Sequence, residues 1–191
     1  ASAETMILLG IGLVVLFQAL LALIQYRATT EALQQIVFWT MGSMTRATWA
    51  GNLVLAITLV IIVPIFGILS WQLTALKLGD ARAQAMGVNV ARLRVIVLIL
   101  CSLLAATAVA FSGIIGFVGL VGPHIARMLV GEDQRYFIPT AAVSGAVMLS
   151  ASHALSLIII PGVAIPIGII TALVGVPFFI GLIITKKRNL W

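Results

Sequence analysis

The sequence predicts an all-α, polytopic membrane protein with about six transmembrane helices and both chain ends on the cytoplasmic side. Three observations lead there. Hydrophobic residues make up 62% of the 191 residues and charged residues only 8%, against about 25% charged in an average soluble domain. Uncharged apolar runs recur at lengths near the roughly 20 residues that a helix needs to cross hydrocarbon. The basic residues gather between these runs, in alternate loops. A net charge of +6 could suggest nucleic acid. These basic residues sit at span ends and form no contiguous patch with interleaved aromatics, so no nucleic-acid partner is expected. Membrane lipid is.

Six segments follow from the apolar runs and their punctuation. The first, Met6–Tyr26, is interrupted only by Gln18 and Gln25. It has no basic flank before it, so it does not read as a cleavable signal. The chain begins at Ala1 without an initiator methionine and reads as processed or truncated. The second segment runs from about Leu53 to Trp71, with Pro64 and Gly67 as a kink. The third is Val95–Phe111. The fourth, Phe117–Val130, is short and glycine-rich, hence re-entrant or packed inside protein. The fifth is Phe137–Ile160 and the sixth Ile165–Ile184, with Gly175 and Pro177 inside it. Cys101 lies within an apolar run and reads as a small apolar residue expected to be buried.

Six crossings with the N-terminus inside place Lys77, Arg82, Arg92, Arg94, Arg127, Arg135, Lys186, Lys187 and Arg188 in cytoplasmic segments. Only Arg27 and Arg46 lie outside. Nine against two is a positive-inside asymmetry. One crossing fewer would expel Arg127, Arg135 and the basic tail. The outer stretch Arg27–Asn52 is too long for a turn. Thr30 is placed to cap a helix, with Glu31 in its first turn. Leu33, Ile36 and Val37 then form the apolar stripe of a short amphipathic helix on the outer surface that ends near Gly42 and Ser43. Trp39 and Trp49 read as interfacial anchors.

Between the second and third segments stands a polar island, Lys77–Arg94, that holds five of the sixteen charged residues. Gly79 and Asp80 start a short helix with Asp80 as its cap. Ala81 to Met86 are strong helix formers, and Gly87 suits the left-handed position that ends a helix. Asn89 caps the next helix, which leads through Arg92 and Arg94 into the membrane. Leu78, Ala81 and Ala85 fall on one face, small and apolar, that a partner could approach closely. The alternative is a solvated loop with snorkelling arginines, and pattern alone leaves both open.

Gly113, Gly116, Gly119 and Gly122 recur every three residues and lead into Pro123. With no strand pattern before them and no Gly-Lys-Ser/Thr after, they are no phosphate loop; they read as helix-packing positions. His124 lacks a second ligand at metal spacing and reads as structural. His153, among Ser150, Ser152 and Ser156, is a pathway candidate or a satisfied interhelical contact. No Asp or Glu lies in any of the six segments. Proton- or sodium-coupled transport usually needs one there. A nucleophile–base pair, metal ligands and a nucleotide motif are also missing, so no enzyme, cofactor or metal site is expected. Energy for uphill transport would come from another subunit.

Several stretches carry a family resemblance. Gly116-Phe-Val-Gly-Leu-Val-Gly-Pro-His-Ile-Ala-Arg127 resembles a signature of the iron-chelate and cobalamin uptake permeases, the membrane subunits of type II ABC importers. Leu78-Gly79 through Gly87-Val88 resembles their cytoplasmic loop. Trp39–Ser43, Gly131–Arg135 and Ile165–Phe179 match in the same order. The chain departs at Gln134, where the family usually has His, and lacks acids near Ser152-His153 and at Ala164-Ile165-Pro166. Members have roughly twice as many spans and this chain matches their second half, so 1–191 reads as a single permease domain, either a fragment of a longer subunit or a shortened relative.

The resemblance implies a permease of the bacterial inner membrane that works as a homo- or heterodimer, with cytoplasmic ATPase subunits and an external, periplasmic binding protein. Leu78, Gly79, Asp80, Ala81, Arg82, Ala85, Met86 and Gly87 would dock the ATPase, which alone hydrolyses ATP. Gln18, Gln25, Trp39, Gly42, Ser43 and His153 become candidates for the path and its gate. The expected cargo is a metal chelate, foremost a ferric siderophore. Two alternatives stand beside this: a structural half-permease that needs a partner chain, and a passive channel or secondary transporter.

Overall fold

The computed structural model describes residues 3–160, 162–163 and 165–188. All regular structure among the described residues is helical: α1 (Ala3–Arg27), α2 (Thr30–Thr40), α3 (Trp49–Leu76), α4 (Asp80–Ala85), α5 (Val90–Ser112), α6 (Val118–Val130), α7 (Gln134–Ile158) and α8 (Ile167–Arg188). The six predicted spans correspond to α1, α3, α5, α6, α7 and α8. Four of these, α1, α3, α5 and α7, are long and apolar enough to cross a membrane by length and composition. The chain divides into two compact units, Ala1–Thr40 and Met41–Trp191.

In the first unit, α1 is apolar on all sides, with Leu8, Leu9, Phe17 and Leu23 all more than half exposed. Such a helix is matched to lipid or to other protein rather than to water. The second helix is amphipathic but buries no residue. Its cap is Thr29, not Thr30: the Thr29 hydroxyl accepts from the Ala32 N–H at 3.3 Å, and the Thr29 carbonyl accepts from Leu33 N–H at 2.8 Å. A side-chain cap must stand just outside the first helical residue, and Thr30 is already inside the helix.

In the second unit, α3 is longer at both ends than predicted. Thr48 caps it by accepting from Gly51 N–H at 3.1 Å, and the helix runs on through Pro64 and Gly67 to Leu76. It packs on α5 and α7, and α7 packs on α6 and α8. The tightest approach is between α6 and α7. A Cβ at Gly122 would stand 3.1 Å from Gly145 N and 3.2 Å from the Ala141 carbonyl oxygen.

The evenly spaced glycines therefore do not act as one packing stripe. Gly113 ends α5 at φ +75°, and a Cβ at Gly116 or Gly119 would meet nothing within 4 Å. Only Gly122 packs. Residues 113 to 117 precede the helix, so a period of three across them lines up no common face. Pro123 lies half-buried inside α6. With 13 residues, α6 covers about 20 Å at 1.5 Å per residue, short of a full hydrocarbon core. Its Val121, Gly122 and Ala126 are buried, in keeping with a segment packed inside protein.

At the end where α3 begins and α5 finishes, three loops are tied by backbone. Ser43 N–H donates to the Ser112 carbonyl at 2.8 Å, Ile167 N–H to Gly42 O at 3.2 Å, and Gly168 N–H to Met41 O at 3.2 Å. Nearby, Phe117 holds φ +67°, alone among the described non-glycine residues. Its side chain lies on Gly175 of α8, where a Cβ would come within 2.6 Å of it. The sixth predicted span starts two residues late as a helix, and before it Ile165 N–H donates to the Ser156 carbonyl at 3.2 Å. Ala164, part of the departing tripeptide, and the extreme termini lie outside the described residues.

Candidate functional site

The polar island is a built platform at the opposite end of α3 and α5. After Leu76 the chain tightens: Leu78 N–H donates to Ala75 O at 3.0 Å and Gly79 N–H to Leu76 O at 3.1 Å. Gly79 then takes φ +97°, a conformation in which a Cβ would be strained, and α4 begins at once. Asp80 is not the cap; Gly79 occupies that position, with no side-chain cap bond. The Asp80 carboxylate instead receives Arg94 Nη2, 2.8 Å from both of its oxygens. Being the first helical residue turns its side chain away from the backbone N–H groups and frees it to hold the first turn of α4 against α5.

The end of α4 follows the Schellman pattern. Gly87, at φ +84°, donates to Gln84 O at 2.9 Å, and Val88 N–H reaches back to Ala83 O at 3.0 Å. Asn89 caps α5 as predicted, accepting from Arg92 N–H at 3.1 Å. The accompanying apolar contact is the core of the platform. Ala83 and Val88 are buried with Ala75, Val90 and Leu93, and Leu69, Leu73, Leu76 and Val97 pack around them.

The face predicted for a partner is free within this chain. Leu78 is 54% exposed, and Ala81, Arg82, Ala85, Met86 and Gly87 are exposed as well. Ala83, which sequence pattern did not single out, is completely buried. One side of α4 is thus anchored and the other presents a small apolar strip with Arg82 beside it. A continuous small-residue strip permits close backbone approach by a partner.

Beside the platform lies a cluster that sequence reasoning missed. Glu132, in the α6–α7 turn, takes Lys77 Nζ at 3.2 Å and Arg127 Nε at 3.3 Å. The Phe137 ring has Lys77 at 5.5 Å and Arg127 at 5.9 Å from its centroid. Gln134 N–H donates to Thr74 Oγ1 at 3.1 Å. These partners are 5 to 60 residues apart in the chain, so no local pattern announces them.

The path candidates fall in both units. Gln18 is exposed and Gln25 half-buried on α1, and Trp39 lies near the end of α2, all within the first unit. In the second unit, Gly42 is buried at φ +72° in the backbone knot, and Ser43 bonds Thr45 at 2.7 Å. His153 is half-buried on α7, its carbonyl accepting from Ser156 Oγ at 2.7 Å. His124 meets Phe178 edge-on at 6.1 Å. Among the described residues no group of three His, Cys, Asp or Glu is placed to hold a metal ion.

A family profile described as the FecCD transport family matches residues 1–185. The chain belongs to that family. It is 37% identical over 185 residues to the hemin transport system permease protein of Yersinia pestis, covering 96% of this chain and 55% of that protein. It is 41% identical over 187 residues to the molybdate import system permease protein of Haemophilus influenzae, again 96% and 55%. Among solved structures, a transporter assigned to the metal-chelate ABC type, in an inward-facing conformation, superposes with a TM-score of 0.90 at 39% identity. That match covers 97% of this chain and 61% of the other. The FecCD relatives compared are permeases, transport components rather than enzymes. This chain spans about half the length of the curated relatives it matches.

Proposed function

We propose that this FecCD-family chain is permease machinery of an ATP-driven importer for a metal chelate, with a ferric siderophore as cargo. Its partners are cytoplasmic ATPase subunits, a periplasmic binding protein and a second permease subunit, and its site is the bacterial inner membrane. The observation that carries the reading is the two-sided construction of α4. A helix of six residues is too short to hold itself in water, yet this one is fixed by a buried core, a Schellman end and an ion pair while its outer strip stays open. That combination suits a lever: force applied to Leu78, Ala81 and Ala85 passes through Ala83 and Val88 into the feet of α3 and α5.

In this reading, ATP binding draws the ATPase subunits together, the docked α4 moves with them, and α3 and α5 carry the displacement to the far side. The uncharged exterior of α1 supports a place against lipid and a second subunit. Gln18 and Gln25, seven residues apart, lie two turns apart on a similar face of α1 and offer neutral hydrogen bonding to a passing chelate. Trp39 in the first unit, and Gly42, Ser43 and His153 in the second, are proposed as further path or gate residues. Relatives that carry hemin and molybdate show that cargo varies widely at similar identity, so the siderophore assignment rests on the sequence motifs.

The test is uptake into vesicles that contain the chain with its ATPase subunits and binding protein. Ala81→Trp and Arg82→Glu should each cut siderophore uptake at least about tenfold, the size of a typical coupling energy, while membrane insertion persists. Normal uptake by Ala81→Trp would remove the docking assignment. Uptake of hemin or molybdate with no siderophore uptake would replace the cargo.

A further inference from the structure

The same platform points to a positioning residue behind the docking strip. We propose that Glu132 is a pin that makes the α6–α7 hairpin follow the platform, so that ATPase motion reaches α6, α7 and α8 as well as α3 and α5. The proposal rests on the docking reading of α4.

Two groups of elements can be told apart in this unit, and α3 and α7 are where they meet. α4 is joined firmly to α3 and α5 by the buried cluster around Ala83. The α6–α7 hairpin is joined firmly within itself, through Gly122 against Gly145 and Ala141, and to α8 through His124 on Phe178 and Phe117 on Gly175. Near the platform, three polar or charged links cross from the first group to the second. They are Lys77 with Glu132 at 3.2 Å, Lys77 over the Phe137 ring, and Gln134 N–H to Thr74 Oγ1 at 3.1 Å.

Glu132 stands at the centre because each of its oxygens holds a different element. Oε2 takes Lys77, the residue that caps α3, and Oε1 takes Arg127 in the last turn of α6. Phe137, in the first turn of α7, lies within cation–π reach of both cations. Without the carboxylate, Lys77 and Arg127, two cations beside one ring, would lose the anion they share. The Thr74 hydroxyl supplies the second tie. It donates to the Ser70 carbonyl at 2.9 Å and accepts from the buried Gln134, so it is aimed at α7.

Exposed ion pairs contribute little to stability: Glu132 is 58% exposed and Lys77 30%. The pin is therefore expected to show in coupling rather than in folding. The experiment measures cargo transported per ATP hydrolysed in the reconstituted complex. Glu132→Gln should lower that ratio a few-fold, and Glu132→Gln with Thr74→Val about tenfold. Glu132→Asp, which keeps the charge, should restore most of it. ATPase capture by the purified permease should be unchanged in all three. An unaltered ratio in the double variant, while Ala81→Trp abolishes uptake, would overturn the pin and leave docking intact. Lost ATPase capture in the double variant would also overturn it, since Glu132 and Thr74 would then belong to the docking surface itself.

Discussion

The two ends of the Met41–Trp191 unit are held by different physics. At the platform end, side chains do the fastening: a salt bridge from Asp80 to Arg94, a cap from Asn89, and the Glu132 cluster. At the other end, backbone fastens backbone, and glycines are what let the strands of chain approach. A Cβ at Gly42 would come within 2.5 Å of Ile114 O, and one at Gly168 within 2.5 Å of Met41 O. Side-chain ties are individually weak and exchange readily with water. Backbone ties enforced by glycine have no partial form, because a single methyl displaces a carbonyl. One end is built to transmit a movement at its surface, the other to hold three loops in fixed register.

The contrast predicts a graded series of variants. Gly42→Ala should have the largest effect. It combines a positive φ with a backbone clash, and destabilisation of about 3 kcal/mol or more is expected, seen as a lower melting temperature or lost expression in detergent. Asn89→Ala, on the platform, should cost about 1 kcal/mol through the lost cap, and amide exchange should rise locally at the start of α5. Asp80→Asn should change global stability by less than about 1 kcal/mol, with higher salt erasing the difference from the parent protein. If Asp80→Asn proved as damaging as Gly42→Ala, the division into a side-chain end and a backbone end would fail.

Much of the architecture was legible because membrane helices are written in composition. Every predicted span is a helix, and α3 and α5 differ only at their ends, where Thr48 and Asn89 set the boundaries through cap bonds. Gly87 was readable for the same local reason. Asp80 was assigned one position wrongly, since Gly79 can serve as a cap without a side chain. The glycine period from Gly113 to Gly122 misled because spacing signals a face only where the backbone is already helical.

The sequence alone determined that the chain is built of apolar helices, where each lies to within several residues, and that a polar island breaks them at Lys77–Arg94. It did so because hydropathy, capping and turn formation act over a few residues. Only the tertiary structure decided that the island is a platform with Ala83 beneath and Leu78, Ala81 and Ala85 above. It alone brought Lys77 to Glu132, Thr74 to Gln134 and Phe117 to Gly175. Those pairings join residues dozens of positions apart, and their energies arise only after the helices have packed.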